Sequence, residues 1–184
     1  MKDAHSVEIL AQARRGDSSA IGQFYELYRV RIFRYLYYRL GDRQSAEDLT
    51  SEVFIRVMRA LPEYRSQDGN VQAWLFQIAR NLTIDYYRKQ GRRPVEALHE
   101  NIPSSSEDPD SAAERALNSE WLKKALAQLT NEQREAVILR IVVGMPVAEV
   151  AALMGKSEDA IKGLQRRGLV ALRAVLTEWK VTYG

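Results

Sequence analysis

Apolar residues recur along this chain at steps of three and four, with no sustained alternation of apolar and polar positions, so the pattern predicts helices and no sheet. Val7, Ile9, Leu10 and Ala13 predict a short first helix that stops at Gly16, after which Asp17 or Ser18 can cap the next. The second helix carries Phe24, Tyr25, Leu27, Tyr28, Ile32, Phe33, Leu36 and Leu40, and Gly41 supplies its left-handed stop. Ser45 is placed to cap a third helix, with Asp48 near the positive end of its dipole and Pro62 closing it. Leu49, Val53, Phe54, Val57 and Leu61 form its buried stripe, which leaves Glu47, Asp48, Glu52, Arg56 and Arg59 toward water. A polar loop from Tyr64 to Asn70 follows. Asn70 then caps a fourth helix in which Trp74, Ile78 and Leu82 share one face, while Arg80, Asn81, Asp85 and Arg88 decorate others.

The periodicity fails from Pro94 to about Ser111, a stretch of Pro, Ser and acids with nothing to bury, which reads as a linker. It divides a four-helix unit, residues 1–93, from a second unit, residues 112–184. In the second unit Trp121, Leu122, Ala125, Leu126 and Leu129 end one helix, and Thr130 caps the next with Gln133 at the capping-box position. That helix runs to Gly144. Pro146, where a first helical turn tolerates proline, opens a short helix through Met154; Gly155 turns the chain, and Ser157 caps a last helix whose Ile161, Leu164, Leu169, Leu172 and Val175 face inward. Trp121, Leu139, Val150 and Leu164 read as core. Two short helices joined by a glycine turn, the second of them basic, form a helix-turn-helix. The fold class expected is all-α: two small helical domains on an acidic, flexible linker. Little sequence follows Val175, so no added C-terminal regulatory domain is expected.

Composition narrows the chemistry. The 184 residues hold no cysteine and only His5 and His99, which excludes a disulfide framework and a Cys/His zinc site. There is no phosphate-binding glycine loop, no nucleophile beside a base motif and no metal-ligand cluster, so neither an enzyme nor a cofactor is expected. The longest apolar run, Ala136 to Met154, is broken by Arg140, Gly144, Pro146 and Glu149, and the N-terminus lacks the pattern of a signal peptide; no membrane insertion is expected, and the chain should stay cytoplasmic. The net charge of +3 is distributed unevenly. Residues 71–93 carry five bases against one acid, residues 94–114 six acids and no Lys or Arg, and residues 156–173 five bases against two acids. Two basic helices flanking an acidic connection suit contact with nucleic acid at two places, although either helix alone could be a solvated face.

At Ser45-Ala46-Glu47-Asp48-Leu49-Thr50-Ser51-Glu52-Val53-Phe54, and again at Trp74-Leu75-Phe76-Gln77-Ile78-Ala79-Arg80-Asn81-Leu82-Thr83-Ile84-Asp85-Tyr86, the chain resembles region two of the extracytoplasmic-function (ECF) sigma factors of the sigma-70 family. Leu129-Thr130-Asn131-Glu132-Gln133-Arg134-Glu135 and the helix-turn-helix after it resemble region four. The resemblance implies a protein that binds core RNA polymerase, takes it to promoters and helps melt the minus-ten element. It further implies an anti-sigma factor as the expected regulator. On this reading Tyr64, Arg65, Ser66, Gln67, Asp68 and Asn70 of the loop, with Arg80, Asn81, Asp85 and Arg88 of the fourth helix, meet minus-ten DNA. Arg and Lys would neutralise phosphates, and the amide and carboxylate would bond base edges. Lys156, Ser157, Lys162, Gln165, Arg166 and Arg167 meet the minus-thirty-five element. Glu47, Asp48 and Glu52, an acidic patch suited to a basic helix, dock with Phe54 on the polymerase clamp; without the resemblance, the same three acids are ordinary solvation.

The last helix departs from the family pattern: where many members carry Gly-Thr and then Ser-Arg, this chain has Asp159-Ala160 and Gly163-Leu164. Glu158 and Asp159 would repel phosphate unless they face away or serve the helix dipole. The acidic linker either threads the polymerase RNA path or is a soluble tether. The rival reading is a stand-alone helix-turn-helix regulator, which would bind duplex DNA without polymerase; an inert helical interaction protein leaves the two basic helices without a purpose.

Overall fold

The computed structural model describes residues 2–64, 70–91 and 121–183. The elements among them are helical: α1 (Lys2–Arg14), α2 (Ser18–Leu40), α3 (Arg43–Ala60), α4 (Val71–Gln90), α5 (residues 121–127), α6 (Asn131–Val137), α7 (Val147–Met154) and α8 (Glu158–Tyr183). A π-helical turn, Ile138–Val142, continues α6. The linker segment 94–111 lies outside the described residues.

Each helix start has a local cause. Asp17 takes the Ser19 and Ala20 N–H groups at the head of α2, and Asn70 takes those of Gln72 and Ala73 at the head of α4. Thr130 and Gln133 form the reciprocal capping box of α6. Ser157 accepts from the Ala160 N–H at 3.2 Å to open α8. The expected cap of α3 is corrected: Asp42, not Ser45, is the N-cap and accepts from the Ser45 N–H at 2.7 Å, so the helix begins earlier and Ser45 turns its hydroxyl to Tyr86 at 3.0 Å. Pro146 is likewise the cap of α7 rather than its first residue, with ψ of 150°.

α1 to α4 pack around Leu10, Ile32, Tyr35, Leu36, Leu75 and Phe76, all essentially without solvent contact. Burying each such side chain contributes about 1.5 to 3 kcal/mol. The buried face of α4 is Leu75, Phe76, Ala79, Leu82, Thr83 and Tyr87, because this helix meets α2 and α3 on one side and α7 on another. Trp74 and Ile78, read as sharing one face with Leu82, are half-buried at its margin, and Trp121, expected in the core, is half-buried too.

α6, α7 and α8 bury Ile138, Leu139, Val150, Ile161 and Leu164. Arg134 lies fully inside this unit and donates to the carbonyls of Leu126, Ala127 and Leu129, tying off the end of α5. Burial pulls its pKa down to about 10, which leaves it a cation at neutral pH. Gly168 lets α8 approach α6: a Cβ there would sit 2.7 Å from Val137 Cγ2. Leu169, expected to face inward, is 40% exposed, since Leu164, Gly168 and Leu172 already fill the buried side of α8.

The two units touch along α2, α4, α6, the π-turn and α7. Arg31 donates to the Val143 carbonyl at 3.0 Å, Arg39 to Asn131 Oδ1 at 2.8 Å, and Tyr35 to Glu135 Oε1 at 3.3 Å. Burial first, and then the Glu135 carboxylate, raise the Tyr35 pKa, so its hydroxyl stays a donor.

Candidate functional site

Three surfaces gather the residues singled out in the sequence. On α3, Glu47 and Glu52 are exposed or half-exposed and each pairs within its own helix, with Arg43 at 2.8 Å and Arg56 at 3.0 Å. Asp48 accepts from Gln44 at 3.1 Å. Such exposed i,i+4 pairs contribute only a few tenths of a kcal/mol, so a partner can exchange them at little cost. Phe54 packs edge-on against Tyr25, ring centroids 4.8 Å apart, and against Phe24 at 6.3 Å. Beside it lies an apolar groove that the sequence reading missed, lined by Tyr25, Phe54, Ile55 and Met58 with Ser51 and Arg59 at its rim. Tyr25, Ile55 and Met58 are 41%, 45% and 39% exposed. The signal was present: Ile55 and Met58 fall off the buried stripe of α3, where a solvated helix face would carry polar residues.

The second surface is α4 with the loop before it. Arg65, Ser66, Gln67 and Asp68 lie outside the described residues. Tyr64 is corrected from loop to core: only 7% exposed, it sets its ring 4.5 Å from Trp74, and its carbonyl accepts from Arg14 at 3.0 Å. An aromatic at the loop base buries more apolar area against Trp74 than it could in a polar loop. Asn81 is exposed and accepts from Gln77 at 2.9 Å, and Asp85 pairs with the exposed Arg88 at 2.9 Å. Two other members of the set are turned to the second unit. Arg80 pairs at 2.9 Å with Glu135, the side chains 26% and 6% exposed. The Asn70 amide donates to Glu149 at 2.7 Å, and that carboxylate also accepts from Gln72 at 3.1 Å.

The third surface is the helix-turn-helix. Gly155, at φ 64°, makes the left-handed turn between α7 and α8. With Ile161, Leu164, Gly168 and Leu172 buried, the 100° step per residue puts Lys162, Gly163, Arg166 and Arg167 on the opposite side of α8. Lys162 pairs with Asp159 at 3.1 Å, and Lys156 with Glu132 at 2.8 Å. Arg166 and Arg167 are exposed and make no ion pair among the described residues. Gln165 is half-buried, its carbonyl accepting from Arg140 at 3.1 Å, so part of its hydrogen-bonding capacity serves the fold. Among the described residues no group of His, Asp or Glu is arranged to hold a metal ion, and no helix is long and apolar enough to cross a membrane.

Comparison with known proteins agrees with this layout. The family "Sigma-70 region 2" matches residues 24–93, and "Sigma-70, region 4" matches residues 119–172. The ECF RNA polymerase sigma factor BldN of Streptomyces coelicolor is 36% identical over 95% of this chain and 67% of its own length. The ECF RNA polymerase sigma factor ShbA of Streptomyces griseus is 34% identical over 95% of this chain and 98% of its own. Among solved structures, CnrH in complex with the cytosolic domain of CnrY is similar at a TM-score of 0.72 and 27% identity, over 92% of this chain and 96% of that one. The sigma factor RpoE of Bartonella quintana, bound to the anti-sigma factor NepR, is similar at a TM-score of 0.68 and 27% identity, over 85% of this chain and 96% of that one.

Proposed function

Because the chain belongs to the extracytoplasmic-function sigma factors of the sigma-70 family, we propose that its three surfaces divide the work of promoter-dependent initiation among them. The α2–α3 groove, apolar at Tyr25, Phe54, Ile55 and Met58 and flanked by Glu47, Asp48 and Glu52, docks on core polymerase. Aromatic and methionine side chains give it the composition of an interface centre, and the carboxylates orient a basic partner helix. Asn81 and Arg88 of α4 meet minus-ten DNA, joined by Arg80 and Asn70 once these are released from Glu135 and Glu149. Lys162, Arg166 and Arg167 of α8 enter the major groove at minus-thirty-five, while Lys156 and Ser157, at the helix-turn-helix corner, sit where phosphates run.

This is binding and positioning work rather than catalysis, and it belongs in the cytoplasm with polymerase and chromosome. The observation that carries the reading is the exposed apolar groove on the unit that matches region 2, on the same chain as a helix-turn-helix whose Arg166 and Arg167 are exposed and make no ion pair among the described residues. The RpoE neighbour, solved with its anti-sigma factor, supports a further step: a protein antagonist that keeps these surfaces from polymerase and promoter. A stand-alone regulator has no use for the region 2 unit or its groove.

The test is initiation from a randomised promoter library with purified core polymerase, with and without this protein. Selected start sites are expected only in the combined reaction. Ile55→Asp and Met58→Asp, both at exposed positions, are expected to weaken binding to core polymerase at least about tenfold while leaving the melting temperature in place. Unchanged affinity in both variants refutes the groove assignment.

A further inference from the structure

Three glycines sit inside long helices of this protein, and their surroundings differ. Gly168 is demanded by packing, because a Cβ would meet Val137 at 2.7 Å. Gly22 faces open space. Gly163 is neither: the three atoms nearest a Cβ built there all belong to one side chain, Arg167 Nη1 at 3.3 Å and Cζ and Nη2 at 3.8 Å. Three atoms of one guanidinium at 3.3 to 3.8 Å from that point mean that the head of Arg167 is folded back beside Gly163, one turn toward the start of α8, in space that a side chain there would contest. Glycine is the poorest helix former short of proline, so its use inside a helix at this half-buried position asks for a reason, and none of the three atoms nearest its Cβ position belongs to the core.

The direction of that fold-back matters. Helical side chains lean toward their own N-terminus, and it is the N-terminal part of a recognition helix that reaches the base edges. Arg167 lies in the third turn of α8. Folded back beside Gly163, its guanidinium is carried one turn toward the N-terminal part of α8, the part of a recognition helix that enters the groove. It makes no ion pair among the described residues, so its donors remain available. A Cβ at position 163 forces the head to lift by a few tenths of an ångström or to swing aside, which is easy for a flexible side chain and moves the donors out of register.

We propose that Gly163 is a specificity-determining positioning residue: it keeps the backbone of α8 bare so that the Arg167 guanidinium lies back along the helix and presents its paired donors to one guanine of the minus-thirty-five element. The guanine follows from the chemistry, since the fork of an arginine matches the adjacent O6 and N7 acceptors and no other base offers two acceptors side by side in the major groove. The inference rests on the reading of α8 as the minus-thirty-five helix and assigns that reading one base.

The test is selection of the minus-thirty-five element from a randomised library by the complete protein with core polymerase, for wild type, Arg167→Ala, Gly163→Ala and the double variant. Arg167→Ala is expected to lose guanine preference at one position by about tenfold, the usual scale of a bidentate contact. Gly163→Ala is expected to lose several-fold at the same position and nowhere else, with a melting temperature equal to or above wild type, and to add nothing when Arg167 is already Ala. That combination, a firmer helix with poorer discrimination, is not what a residue of purely structural role produces. If Gly163→Ala leaves that position unchanged, or weakens all minus-thirty-five positions alike, the inference is overturned while the helix assignment survives. If Arg167→Ala changes no position, or the Arg167-dependent base is not guanine, the inference falls, and in the first case the place of Arg167 in the minus-thirty-five reading falls with it.

Discussion

Asp42 shows how a single side chain sets where an element begins. Partial burial works against its charge, but hydrogen bonds from the side chain and backbone of Ser45 outweigh this and hold its carboxyl below the ordinary value of 3.8. A carboxylate with a depressed folded pKa adds stability above its unfolded value, and that stability is lost as pH falls through the folded one. Asp42→Ala is therefore expected to lower stability at neutral pH by about 1 kcal/mol, and Asp42→Asn by much less, because the amide still accepts. Urea titrations of wild type and Asp42→Asn should converge as pH falls from the ordinary value of 3.8 down through the lower folded one, where the wild-type carboxylate protonates. The sequence reading placed this cap at Ser45, since both residues are good caps three positions apart and only packing selects between them. Tyr64 was misread for a related reason: neighbouring polar residues mark a loop, but they do not reveal that Trp74 waits beneath its first residue.

At the scale of elements, helix-interior glycines separate geometry from propensity. Gly168→Ala pushes a methyl to 2.7 Å from Val137 across the α6–α8 contact and is expected to destabilise the protein by about 1 to 3 kcal/mol, as overpacking does. Gly22→Ala, in open space on α2, is expected to stabilise it by up to about 1 kcal/mol. Opposite shifts of melting temperature in the two variants check both statements. Helix number and order were legible because apolar spacing, caps and Gly stops agree along most of the chain; the capping box at Thr130 and the cap at Asn70 stand where they were read. Which face of α4 is deepest was not legible, because α4 is covered from two directions, and the second cover, α7, is distant in sequence. The Tyr25, Ile55 and Met58 groove escaped for the opposite reason: an apolar residue off the main stripe reads as incidental until the fold leaves it uncovered.

At the scale of the whole molecule, carboxylates of the second unit hold the polar groups of the first. Glu135 takes Arg80 and Tyr35, and Glu149 takes Asn70 and Gln72. Arg80 and Asn70 belong to the proposed minus-ten set, so a carboxylate occupies each where nucleic acid would. Glu149→Ala is expected to lengthen the mean distance between fluorophores placed on α3 and α8 and to raise affinity for minus-ten DNA; no change in distance would mean that the remaining contacts suffice to hold the units together. Nothing in the sequence announced these pairs, since Arg80 and Glu135 are 55 residues apart and each reads as surface charge. Asn70 serves both ends of this contact: its oxygen caps α4, and its nitrogen donates to Glu149. An aspartate there would keep the first and reverse the second, setting two anions face to face. When only the released form can bind, the observed dissociation constant is the intrinsic one divided by the released fraction. On the proposed minus-ten assignment, promoter affinity would be adjustable at Glu149, a residue outside the proposed DNA-reading set, by how rarely the chain lets go of itself.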